Sequence, residues 1–233
     1  MIEIKVLASG SRGNCTALRS GSTTILLDAG IMYSTIREAL DFKNPLAALI
    51  THEHGDHARP STIRELLKRG VEVYMTGGTA EALELAKHHR LHIVEPNVEF
   101  RAGGLWACAK SVRHDAAEPV KFELADGRDD YVLYLTDTGE LHSWRDGLAT
   151  KIIIEANHSA SLLLRSNISL NLKRRILENH LSIEQVERFF RGSELPWLRE
   201  VHLIHVSKRH GDAAEFRRRI AAVLPEVEVK AAW

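Results

Sequence analysis

Thr51-His-Glu-His-Gly-Asp-His57 places three imidazoles and two carboxylates in seven residues, directly behind the apolar run Leu46-Ala-Ala-Leu-Ile50. A short apolar run that stops at glycine and charged residues reads as a buried strand ending in a loop. Side chains alternate along extended chain, so His52 and His54 are expected to point one way and Asp56 with His57 another. Two pairs of donors imply two metals. Imidazole suits Zn, Mn, Fe and similar ions, and the added carboxylate favours a hydrolytic centre over a Cys-rich structural zinc.

Further donors stand where other apolar runs end. His114 follows Leu105-Trp-Ala-Cys-Ala-Lys-Ser-Val112, Asp137 follows Tyr131-Val-Leu-Tyr-Leu-Thr136 in the turn Asp137-Thr-Gly139, and His205 ends Val201-His-Leu-Ile204. A carboxylate such as Asp137 is able to bridge two cations ~3.5–4 Å apart. Alone, each of these residues would as readily satisfy backbone groups at a strand end. Beside the histidine loop they read as one site, and strand ends are where layered α/β folds carry their chemistry.

The hydrophobic patterning predicts strands near 2–7, 15–19, 23–28, 46–50, 71–75, 105–110, 119–124, 131–136, 151–155, 201–206 and 227–231. Helices are expected at about 33–42, 61–69, 79–89, 160–165, 173–178, 182–191 and 212–223. Ser182-Ile-Glu-Gln185 carries the spacing of a capping box, and Pro60 with Ser61 opens the helix after the histidine loop. No Pro/Gly/Ser-rich linker, low-complexity tract or repeat breaks the 233 residues, so the expectation is a single domain over 1–233.

Composition narrows the setting. No run approaches the roughly 18 apolar residues of a membrane span, and Met1-Ile-Glu-Ile-Lys-Val-Leu7 lacks the basic-then-apolar layout of a signal peptide. A cytoplasmic protein without a membrane partner is expected, in which Cys15 and Cys108 stay thiols. Thirty-one basic residues balance thirty-one acidic ones, so no global field draws in nucleic acid. Local clusters at Lys173-Arg174-Arg175, Lys208-Arg209-His210 and Arg217-Arg218-Arg219 are nonetheless suited to gripping a phosphate backbone, although each also reads as a solvated helix face.

The order His-x-His-x-Asp-His, then His, Asp and His, resembles the metallo-β-lactamase fold superfamily, and the resemblance spans almost the whole chain. It implies a four-layer αββα sandwich of two mixed sheets flanked by helices, with a dinuclear site at one edge. It also implies that His52, His54 and His114 hold one metal, that Asp56, His57 and His205 hold the other, and that Asp137 bridges them. Leu7-Ala-Ser-Gly-Ser-Arg-Gly-Asn-Cys15, Leu26-Leu-Asp-Ala-Gly30, Ile154-Glu-Ala-Asn-His158 and Asn179-His-Leu-Ser182 resemble the WalJ (YycJ) group of metal-dependent nucleases. That group includes 5′-to-3′ exonucleases and is related to RNase Z and to cyclic phosphodiesterases. Asn179 replaces the group's Gly, Ile183 its Asn after the serine, and His210-Gly211 its paired asparagines. These departures lie at the rim and bear on substrate choice more than on metal binding.

The chemistry expected is phosphodiester hydrolysis by a metal-bridging hydroxide, with two Zn or Mn ions also taking up charge on the phosphoryl oxygen. Asp56 serves as ligand and orienter, and a neutral imidazole protonates the leaving alkoxide, with His180 the first candidate and His158 the second. Ser11 and Asn14, in the turn Ser9-Gly-Ser-Arg-Gly-Asn14, are candidate phosphate contacts, as are Lys173, Arg174, Arg175 and His210. The same turn has the equally good explanation of a glycine requirement at positive φ. His88, His89, His92, His142 and His202 have no donor partner at useful spacing, and Trp106, Trp144, Trp197 and Trp233 are read as core or rim rather than as base-stacking platforms. The leading expectation is a nuclease acting on DNA. A small-molecule hydrolase of the same fold, taking a cyclic phosphodiester, thioester or lactam, is the enzymatic alternative. A metal-stabilised binding module fits least, because structural sites close on four ligands. The sequence leaves the oligomeric state open.

Overall fold

The computed structural model describes residues 1–40, 45–85, 87–141 and 147–232. They fall into two compact units, Met1–Ser111 with Ala116–Asp130, and Val112–Asp115 with Tyr131–Trp233.

In the first unit β1 (Ile2–Ala8), β2 (Cys15–Ser20) and β3 (Thr23–Leu27) pair antiparallel. The same sheet continues in parallel with β4 (Ala47–Leu49), β5 (Glu72–Met75) and β6 (Leu91–Ile93), in that order. Parallel neighbours need long crossovers. Helices α1 (Tyr33–Ala39), α2 (Pro60–Lys68) and α3 (Gly77–Ala82) supply them. Pro60 fits the first turn of α2 because its missing N–H would have no partner there. Thr62, Ile63, Leu66 and Leu67, three and four apart, form the buried face of α2, and its three apolar members pack in a core with Leu26, Ala48, Ile50, Val73 and Met75. The unit also holds the antiparallel meander β7 (Glu99–Ala102), β8 (Leu105–Ser111) and β9 (Val120–Ala125). The two-residue β7–β8 turn is Gly103-Gly104 with φ of 53° and 87°, a conformation that glycine adopts at little cost.

The second unit is built on four parallel strands, β10 (Tyr131–Leu135), β11 (Lys151–Glu155), β12 (Glu200–Ile204) and β13 (Glu228–Ala231). Between them run α4 (Ala160–Arg165), α5 (Leu170–Asn179), α6 (Ile183–Gly192) and α7 (Ala213–Val223). Ile152, Ile154, Val201, Leu203 and Val229 on one sheet face pack against Val186, Phe189, Phe190, Phe216 and Ile220. The capping box expected at Ser182 and Gln185 is present. Arg219 of α7 donates to Glu187 at 3.0 and 2.7 Å and to Glu184 at 3.2 Å, so this arginine is committed to binding α7 to α6. Helix α5 differs from its neighbours, since none of its residues is buried.

The expected elements are found, mostly within one to three residues of their sequence-derived bounds. Helix α3 covers only part of the expected 79–89, and α5 starts three residues before the expected 173. Strands β6 and β7 were not expected; Leu91-His-Ile93 and Glu99-Phe-Arg-Ala102 are too short and polar to show a period. His142, Trp144, Trp233 and the end of the helix expected at 33–42 lie outside the described residues. Among the described residues no helix is long and apolar enough to cross a membrane.

Candidate metal centre

In both units most of the chemistry-bearing residues leave the C-terminal ends of parallel strands, the position at which open α/β sheets bind ligands, whereas His114 follows the antiparallel β8 and His180 follows α5. In the first unit Asp28 follows β3 and the histidine loop follows β4. Asp28 is fully buried, and its Oδ1 accepts from the Thr51 backbone N–H and from Thr51 Oγ1, both at 2.9 Å. Its Oδ2 lies 2.7 Å from His57 Nδ1, which therefore carries the proton and leaves the lone pair on Nε2. The same carboxylate reaches a second imidazole through the hydroxyl. Because the Thr51 hydrogen goes to Asp28, Thr51 Oγ1 accepts from His52 Nδ1 at 2.9 Å, and His52 also keeps its lone pair on Nε2. One buried acid thus sets both rings in the tautomer a metal ligand needs.

The loop is folded tightly back on the unit. The His52 ring centroid lies 4.4 Å from that of His57 and 4.8 Å from that of His54. Donor atoms of His52 and His54 approach within 4.8 Å of each other, and Asp56 Oδ2 stands 3.7 Å from His57 Nε2. Asn14 is buried, accepts from Gly10 N–H at 2.8 Å, donates its backbone N–H to Asp56 O at 2.6 Å and brings Nδ2 within 2.9 Å of His57 Nε2. Asn14 thus clamps the histidine loop, while Ser11 stands exposed in the same turn. At Gly30 a Cβ would fall 1.8 Å from Asp56 O, so only glycine admits this approach.

The second unit brings together Asp137, Glu155, His180 and His205, whose donor atoms all lie within 4.8 Å of one another. His205 Nδ1 is 2.6 Å from Asp137 Oδ1 and 2.9 Å from Glu155 Oε1. His180 Nδ1 lies 2.6 Å from the same Glu155 oxygen and 4.0 Å from Asp137 Oδ1. The His114 side chain is buried, with Nδ1 3.2 Å from Asn179 O and Nε2 3.7 Å from Asp137 Oδ2. Donation to a carbonyl puts its proton on Nδ1 and the lone pair on Nε2. Burial lowers the His114 pKa below the ordinary imidazole value, against the pull of Asp137. Glu155, wholly buried, stays below the usual carboxylate range; burial opposes this, and the charge and hydrogen bond of His180 outweigh it. His180 moves up despite its burial, held by the charge and hydrogen bond of Glu155. Gly139 has the same need as Gly30, since its Cβ would stand 1.8 Å from Glu178 O, and that contact sets the end of α5 just before His180.

Sequence reading missed two participants, Asp28 and Glu155. Both lie in quoted segments, Leu26-Leu-Asp-Ala-Gly30 and Ile154-Glu-Ala-Asn-His158, and a carboxylate leaving an apolar run was the available signal. His158 is fully buried, and desolvation takes its pKa down to about 4. His210 is buried in a turn, its N–H donating to Ser207 Oγ at 3.3 Å and its carbonyl accepting from Ser159 N–H at 2.8 Å. Arg174 and Arg175 are exposed, paired at 2.7 Å with Glu178 and at 2.9 Å with Asp115, while Lys173 Nζ donates to Leu164 O at 2.7 Å.

Residues 23–206 match the family model described as a Beta-lactamase superfamily domain. The chain belongs to that superfamily. It is 31% identical over 221 residues to a protein of Streptococcus pneumoniae named Exodeoxyribonuclease WalJ, covering 88% of this chain and 81% of the relative. Exodeoxyribonuclease YycJ of Bacillus anthracis is 26% identical over 243 residues, covering 97% and 90%. The metallo-beta-lactamase fold protein YhfI of Bacillus subtilis superposes with a TM-score of 0.74 at 16% identity, over 99% of this chain and 96% of that one. The chain is a WalJ-like member of the metallo-β-lactamase fold, two mixed sheets flanked by helices, as its ligand order suggested. The fold and the imidazole-carboxylate clusters, with tautomers preset for coordination, support use of a divalent metal.

Proposed function

We propose that the chain is a metal-dependent phosphodiesterase acting on nucleic acid, a DNA exonuclease of 5′-to-3′ direction, working as one domain in the cytoplasm. The reading is supported by relatives named exodeoxyribonucleases and is carried by one observation, the partly exposed His180 held through Nδ1 by buried Glu155 beside Asp137 and His205. In the ligand order of the family, His52, His54 and His114 would hold one divalent ion, Asp56, His57 and His205 a second, and Asp137 would serve both, the ions being Zn or Mn. Bound there, divalent cations supply a deprotonated water at neutral pH and offset charge on the attacked phosphoryl oxygen.

The chain's own residues do the rest. Asp28 holds His57 directly and His52 through Thr51, so neither ring must turn or change tautomer when loaded. Asp56 orients the attacking water from within the loop that Asn14 fixes. Glu155 keeps the proton on His180 Nδ1, which leaves Nε2 to carry a second proton to the departing sugar oxygen. His180 suits this task better than His158, which has no solvent exposure and whose burial favours the neutral ring. Lys173, Arg174 and Arg175 meet the phosphate backbone; their present partners lie at the surface, where water and salt screen such contacts. Ser11, exposed in its turn, meets a further phosphate, while buried His210 supports its own turn through Ser207 and Ser159.

The test is an assay of metal-loaded protein on 5′-labelled DNA, on RNA and on bis(p-nitrophenyl) phosphate, with metal content measured alongside. Close to two ions per chain and release of mononucleotides from DNA are expected. His180→Ala is expected to slow DNA cleavage by about 10²–10⁴-fold at unchanged metal content, with little effect on the aryl diester, whose leaving group needs no acid. One ion or fewer in excess metal refutes the dinuclear arrangement, and hydrolysis of cyclic phosphodiesters alone moves the assignment to a small-molecule hydrolase.

A further inference from the structure

The surface leading to His180 is unusual for a water-soluble face. Leu162, Leu164, Leu170, Leu172 and Leu177 are 40, 62, 81, 43 and 42% exposed, and all lie on α4 and α5. Single exposed leucines are ordinary, but five on two consecutive helices of which one buries nothing mark a surface with a task. Along α5 the spacing puts Leu170, Arg174 and Leu177 on one face, an apolar–basic–apolar row. Segment 160–179 carries Arg165, Lys173, Arg174 and Arg175 against the single acid Glu178, in a chain of zero formal net charge. The helix is held at its far end, where Glu178 O rests on Gly139 and Asn179 O meets His114, and the next residue is His180.

We infer that α4 and α5 form a wedge for a DNA end, in which exposed leucines enter between the terminal bases and basic side chains hold the flanking phosphates. The inference rests on the nuclease reading and gives it a substrate form, the end of a duplex that must be opened before one strand reaches His180. Apolar side chains next to Arg and Lys are what proteins use to unstack a base step while gripping the backbone. A second copy of the chain is a poor occupant, because a two-fold contact would set this basic segment against itself. An anionic bilayer would suit the composition. The continuity of the face with His180 favours the polyanion that His180 acts upon.

The experiment compares the wild type with Leu170→Gln/Leu172→Gln and with Leu162→Gln/Leu164→Gln, all at exposed positions, on blunt duplex, duplex with an unpaired 5′ tail, and single-stranded DNA. The expected result is about a tenfold or greater loss on blunt duplex, with rates on single strands and on bis(p-nitrophenyl) phosphate within about twofold of wild type. With metal chelated, wild type should raise the fluorescence of a terminal 2-aminopurine in the duplex and the variants should not. Equal loss on duplex and single strand, or no loss on duplex, overturns the wedge while the nuclease reading stands. Binding to phosphatidylserine vesicles or self-association that the leucine variants abolish, with duplex cleavage unchanged, overturns it in favour of those occupants. If the wild type cleaves no DNA in any form, the nuclease reading fails and the wedge with it.

Discussion

Asp28→Asn is the sharpest perturbation of the centre, because it replaces one oxygen by an N–H2 at almost constant volume. Oδ1 of Asp28 takes two hydrogen bonds from Thr51, and Oδ2 lies 2.7 Å from His57 Nδ1. An asparagine amide is able to satisfy the Thr51 side only by turning its NH2 toward His57, where two donors would meet. His57 then moves its proton to Nε2, the atom it would offer to a metal. In the other amide orientation the Thr51 N–H loses its acceptor, at ~1–3 kcal/mol, and the relay to His52 is broken. Both outcomes leave the fold in place, with a melting temperature lower by about 2–12 °C at ~2–4 °C per kcal/mol for a chain of this size. Metal affinity is expected to fall ~10–100-fold, the usual effect of losing a partner that orients a ligand. Competition against a calibrated chelator, with thermal melts of metal-free protein in parallel, separates the two effects. Thr51→Val, which touches only the His52 arm, should produce the smaller loss of affinity. Unchanged affinity in Asp28→Asn, at any loss of stability, would refute the tautomer argument and leave Asp28 as a packing residue.

Gly139→Ala forces a methyl against Glu178 O and must displace the last turn of α5, so turnover should drop by about tenfold or more with metal content retained; intact turnover would show that this turn does not place His180. DNA affinity should fall steeply with salt, and replacing Lys173, Arg174 and Arg175 by alanine should flatten the log–log slope by roughly one unit per lost phosphate contact, as read from binding titrations over a range of salt. Glu200 accepts from Lys151, Lys230 and His202 at 2.9, 2.7 and 2.8 Å; although burial opposes ionisation, these bonds take its pKa down to about 2. A carboxyl lowered on folding adds stability above its unfolded pKa and loses it as pH falls through the folded value, so the urea midpoint of metal-free wild type should decline between about pH 5 and 2 more than that of Glu200→Gln, and parallel curves would refute the assignment.

Much of the candidate site was legible because the ligand types are rare and stand at strand ends, where an apolar period breaks off. His52, His54, Asp56, His57, His114, Asp137 and His205 each follow such a run. The capping box at Ser182 and the proline opening of α2 were legible for a similar reason, since each is a local rule that needs no knowledge of the partner. Asp28 and Glu155 were not assigned a role, because what they do depends on neighbours 23 to 50 positions away in sequence. The short strands β6 and β7 were missed because three or four residues carry too little pattern to be told from loop.

Backbone conformation at the strand ends was the least legible feature and bears most directly on the chemistry. Asp28, Asp137 and His205 have φ of 60°, 44° and 55°, in the left-handed region that non-glycine residues rarely occupy. Aspartate and histidine tolerate this region better than most residues, yet no sequence rule places either of them there. Each such residue costs of order 1–3 kcal/mol, so its neighbours must hold it. Asp28 is held by its N–H bond to Leu49 O at 2.9 Å, and His205 by the bond from Asn157 Nδ2 to its carbonyl at 3.0 Å. A left-handed residue at a strand exit turns the chain sharply. The side chain is thereby redirected while the strand before it stays in register. Three such turns, one after β3 in the first sheet and two after β10 and β12 in the second, aim a carboxylate or an imidazole from otherwise regular strands. Chemistry in this fold is therefore set by where regular structure is broken, and the hydrogen bonds around each break are as much a part of the centre as the donors themselves.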